Sequence, residues 1–69
     1  MSLPIEIEQE VDGRWLAELP DLPGVLAYGT TPDDAALAAQ ALALRVMADR
    51  VENGEEVPTA LADLFAVRA

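Results

Sequence analysis

Apolar and polar positions alternate along the first part of this chain, then change period. Over residues 4–11, Ile5, Ile7 and Val11 share one face with Gln9, and Glu6, Glu8 and Glu10 share the other. A period of two predicts a strand with one face on a core. Asp12-Gly13 follows, and glycine supplies the positive φ that hairpin turns require. A second strand is expected over residues 14–19.

Side-chain parity selects the register of this hairpin. A two-residue loop would set Ile7 opposite Glu18, mixing core with solvent. A three-residue loop, Val11-Asp12-Gly13 with Gly13 left-handed, pairs Glu10 with Arg14, Ile7 with Ala17 and Ile5 with Leu19. Both faces are then consistent. Trp15 joins the apolar face, where it reads as core or as an interface anchor. Leu16 falls on the other face, among Glu6, Glu8, Glu10 and Glu18.

Pro20-Asp21-Leu22-Pro23-Gly24 cannot be regular structure, because two prolines remove backbone donors and glycine permits a sharp change of direction. It reads as a turn or as a partner contact. A third strand is expected over residues 25–28. From Pro32 the period becomes 3.6. Thr31 can cap a helix, Pro32 suits its first position, and Asp33 and Asp34 suit the positive end of its dipole. The helix should reach about Asn53, with Gly54 as a left-handed stop and Pro58 as a second one. Leu37, Ala41, Leu44 and Ala48 make its expected sheet-packing face. Val46, Met47 and Val51 widen the stripe into a second edge, for contact with another copy or for covering the C-terminal tail. In that tail, Ala60-Leu61-Ala62 favours a helical turn, while residues 64–67 suit a short strand; a strand there would lie parallel in the sheet by a right-handed crossover. The fold class is α+β in one domain, residues 1–69.

Composition narrows the functions. Sixty-nine residues form a domain that buries only about 60% of its unfolded surface. No cysteine is present to staple it, so self-association as a homo-oligomer, a dimer or tetramer, is expected. Acidic residues outnumber basic ones 13 to 4, for a net charge of −9. Arg14, Arg45, Arg50 and Arg68 are scattered, which disfavours nucleic acid and anionic membranes and favours a basic protein partner. There is no histidine, cysteine or lysine for acid–base or nucleophilic chemistry. Glu6, Glu8 and Glu10 project from one strand about 7 Å apart, too far to share a metal ion. No enzyme activity, cofactor or metal is expected. The start of the chain has no basic segment followed by an apolar one, so a cytoplasmic protein is expected.

The residues from Asp12 to Pro58 resemble the HicB-like antitoxin domain. Asp12-Gly13-x-Trp15 matches that family's hairpin, and Pro20-Asp21-Leu22-Pro23-Gly24 its next segment. Gly29-Thr30-Thr31-Pro32-Asp33-Asp34-Ala35 matches its helix entry, with Asp34 for the usual glutamate. Gly54-Glu55-Glu56-Val57-Pro58 matches its exit. The resemblance implies a partial ribonuclease-H-like fold: a three-stranded antiparallel meander, one long helix packed on the sheet, and a short fourth strand beside the first. It implies an antitoxin that neutralises a small basic HicA-type messenger-RNA ribonuclease toxin. The further DNA-binding domain that many members of the family carry is not expected, since eleven residues follow Pro58. The alternative is a toxin-less HicB-like domain acting as a homo-oligomeric structural or adaptor module, and a metal-dependent nuclease ranks last. Glu6, Glu8, Glu10, Leu16 and Glu18 are the candidate partner-binding residues, against the reading that they only form a solvated face.

Overall fold

Parity selects a hairpin that is also found in three dimensions. A computed structural model of the chain describes residues 2–68. Its elements are β1 (Glu6–Gln9), β2 (Trp15–Glu18), β3 (Leu26–Gly29), α1 (Pro32–Glu52) and α2 (Thr59–Ala62). The three strands form an antiparallel sheet in the order β1-β2-β3, and α1 packs on one face of it. Ile7 stands opposite Ala17, the Glu10 N–H donates to the Arg14 carbonyl at 2.7 Å, and Gly13 has φ 92°. The strands are shorter than the sequence periodicity suggests.

The proline-rich connection between β2 and β3 serves the core. The Leu22 N–H donates to the Leu19 carbonyl and the Val25 N–H to the Leu22 carbonyl, both at 3.0 Å. These tight turns aim Leu22 inward, where it is the largest side chain wholly removed from solvent. A loop that supplies its own core residue needs no partner to explain its prolines.

Thr31 caps α1 as expected: its hydroxyl accepts from the Asp34 N–H at 3.0 Å. At the other end the Glu55 N–H donates to the Arg50 carbonyl at 2.8 Å, around Gly54 with φ 69°. Both caps satisfy backbone groups that a helix end leaves unpaired.

The face that α1 turns to the sheet is not the one expected. Ala35, Ala39, Ala43 and Met47 are buried there, against Ala17, Leu19, Leu22 and Val25. Leu37 and Leu44 are 62% and 63% exposed, and Ala41 and Ala48 also face solvent. The reason is distance. A side chain at Gly29 would place its Cβ 2.9 Å from the Ala35 Cα, so the start of α1 rests on bare backbone. A helix held that close has room for alanine beneath it and not for leucine. The expected oligomer contacts are corrected with it. Met47 is a core residue, 4% exposed, and Val46 is half-buried against the core, so of that trio only Val51 remains open.

After α1 the chain forms the helical turn α2, and Leu61 packs on the core. The Asp63 N–H donates to Thr59 and the Leu64 N–H to Leu61, so these donors close a turn instead of extending a ladder. No fourth strand forms among the described residues; Leu64, Phe65 and Val67 are exposed.

Two substitutions test this packing by chemical denaturation. Gly29→Ala drives a methyl group into helix backbone and is expected to destabilise by about 1–3 kcal/mol. Leu22→Ala empties the best-enclosed site and is expected to cost about 2–5 kcal/mol.

Candidate protein-binding surface

The sheet face away from α1 collects the acidic positions of β1 and β2. Alternation along each strand places Glu6 and Glu8 of β1, Leu16 and Glu18 of β2, and Leu26 and Tyr28 of β3 on this side. The register aligns them into rows. Glu6, Glu18 and Leu26 lie in one; Glu8, Leu16 and Tyr28 lie in the next. Glu10 continues the β1 alternation where the hairpin closes, opposite Arg14. All five candidate residues therefore share one side of the sheet.

The layout is an apolar centre within an acidic border. Leu16 is half-buried between Glu8 and Tyr28, while Leu26 and Tyr28 are 37% and 44% exposed. Glu6 stands directly across from Glu18, and like charges in facing positions repel. Among the described residues no ion pair relieves this charge; the one present is Arg14 with Asp12, at 2.7 Å.

Arg14 contacts both the hairpin loop and β3. Its N–H donates to the Asp12 carboxylate at 3.0 Å, its Nε donates to the other carboxylate oxygen, and its guanidinium lies 4.4 Å from the Tyr28 ring centroid. The cation thus bridges the hairpin loop to β3 and gains from the ring's quadrupole. Hydrogen bonds from the Arg14 backbone and then its side chain hold the Asp12 carboxyl below its usual 3.8. Extending the β2 parity across to β3 would have found Tyr28 and Leu26 in the sequence. The stacking of Arg14 on Tyr28 has no such signal, since it depends on strand twist.

The residues on which the motif resemblance rests have local structural roles. Asp12 and Gly13 build the hairpin loop, and Gly24, with φ 89°, reverses the chain after Pro20, Asp21, Leu22 and Pro23. Trp15 is half-buried on the core, Thr31 caps α1, Ala35 is wholly buried, and Gly54 and Pro58 flank the exit from α1 toward α2. Among the described residues no three carboxylates come together as a metal site, and no helix is long and apolar enough to cross a membrane.

The lowered Asp12 value sets a pH dependence. The unfolded carboxyl binds a proton more readily than the folded one, so this group's contribution is present above 3.8 and fades as pH falls through the lower folded value. In a carboxyl NMR titration Asp12 is expected to have a midpoint below 3.8, and Arg14→Ala to raise it only part of the way, because the backbone donor remains. In comparisons with family models, with curated proteins and with solved structures, nothing matches this chain.

Proposed function

We propose that this chain is a protein-binding module and that its outer sheet face receives a small basic protein. The observation that carries this reading is the set of unpaired carboxylates, Glu6, Glu8, Glu10 and Glu18, around Leu16, Leu26 and Tyr28. Apolar side chains supply the desolvated centre that anchors an interface, and a charged border steers the encounter. A cation seated between Glu6 and Glu18 turns a repulsive pair into an attractive one. The net charge of −9 acts in the same direction at longer range.

The partner's class comes from the motif resemblance. A HicB-like antitoxin would bind a HicA-type ribonuclease, small and basic, and block its active surface. Binding without catalysis is consistent with a chain that has no histidine, cysteine or lysine.

Co-expression with any small basic protein encoded beside this chain, followed by affinity capture and calorimetry, tests the proposal. Capture, rescue of growth and an affinity that weakens with salt are expected. Glu8→Lys should lower the affinity about tenfold or more, mainly through the association rate. A folded chain that neither captures that protein nor rescues growth would overturn the reading.

A further inference from the structure

α1 carries a second apolar face, turned away from the sheet. Leu37, Ala41, Leu44, Ala48 and Val51 are all exposed. They follow one another at steps of four, three, four and three residues, which is a heptad repeat. The two leucines and the valine occupy one core position of that repeat, and the alanines occupy the other. The seam runs about 21 Å along the helix.

We propose that this seam is covered by a second copy of the chain, with the two α1 helices packed antiparallel about a twofold axis. Antiparallel packing sets the large position of one helix against the small position of the other, so each leucine fills the space over an alanine. Parallel packing would stack leucine on leucine and alanine on alanine, crowding one layer and hollowing the next. The contact is self-complementary, as a twofold interface must be.

Charge at the seam's border fits the same arrangement. Arg45 and Glu52 are exposed on one edge, seven residues apart. Reversing the second helix brings Arg45 of each copy toward Glu52 of the other, twice over.

The amount of surface also fits. The chain exposes 5028 Å², whereas a compact folded monomer of 7.3 kDa exposes about 4,200 Å². Its radius of gyration is 13.7 Å, against about 11 Å expected for this length. The excess of roughly 800 Å² is the size of one partner's share of a standard interface, and the exposed tail residues Leu64, Phe65 and Val67 are part of it. Beside the seam, a groove of about 350 Å³ between α1 and the stretch from α2 onward is lined by Leu61 and Phe65 and opens at Leu44 and Val51. It extends the apolar band beyond the helix itself.

This surface is separate from the acidic sheet face, and salt distinguishes the two. Copies with a charge of −9 repel, so screening strengthens their association, whereas it weakens the binding of a basic partner.

Sedimentation equilibrium of the full chain tests the proposal. The expected mass is twice 7.3 kDa, with association increasing with salt, and Leu44→Glu is expected to halve the mass without changing the far-ultraviolet circular dichroism. If Leu44→Glu unfolds, Leu37→Glu decides by the same readout, because Leu37 is 62% exposed and does not line the groove beside the seam. A wild type that stays monomeric to about 1 mM overturns the proposal. So does a dimer that both substitutions leave intact. A monomer whose Leu37→Glu variant loses capture of a basic protein gives the seam to that partner instead. The chain has no cysteine of its own, so Leu37→Cys reads orientation: self-crosslinking would mean parallel helices and overturn the antiparallel arrangement.

Discussion

The close approach of α1 to the sheet governs the rest of this structure. Where Gly29 meets the backbone of Ala35 there is no room for even a methyl group. That contact fixes the height of the helix above β2 and β3. Small residues, Ala17, Ala35, Ala39 and Ala43, line the contact, and Leu19, Leu22 and Val25 complete the same core. Only toward the far end of the helix does the space widen enough for Met47.

This constraint divides the apolar residues in an unusual way. The small ones are spent on the interior, and the large ones at Leu37, Leu44 and Val51 are left outside. Larger interior side chains come from the flanks: Leu22 from a turn, Leu19 and Val25 from strand ends, with Leu3, Ile5 and Leu61 packed beside them. The two faces left open have opposite characters. One is a sheet surface dominated by carboxylates, and the other is a helix surface dominated by aliphatic groups.

Much of this order can be read from the residues. The period of two and the Asp12-Gly13 turn are enough to choose the hairpin register, because any other register inverts a face. Thr31, Pro32 and Gly54 mark the helix ends, because their preferences come from backbone geometry and not from tertiary context. The five outer-face positions follow from the same parity. The buried face of α1 does not follow. Apolar residues nearly surround this helix, so periodicity points weakly, and hydropathy favours leucine over alanine as core. The deciding quantity is interaxial distance, set by a glycine on a strand that precedes the helix. The tail is ambiguous for a related reason: residues 64–67 are apolar enough for a strand, but the turn at Asp63 and Leu64 uses the donors that would have begun one.

The modest interior has a consequence for how long the protein lasts. A domain of this length has roughly 3–10 kcal/mol of stability, and here, among the described residues, Leu22 is the one large side chain wholly enclosed. A ligand that binds only the folded form and is present at a hundred times its dissociation constant adds about 2.7 kcal/mol. That is a substantial fraction of the total. Proteases act on the transiently opened chain, so degradation follows its population. With such a ligand, unoccupied molecules would be cleared faster than occupied ones, and the level of this protein would become a measure of how much of it is bound.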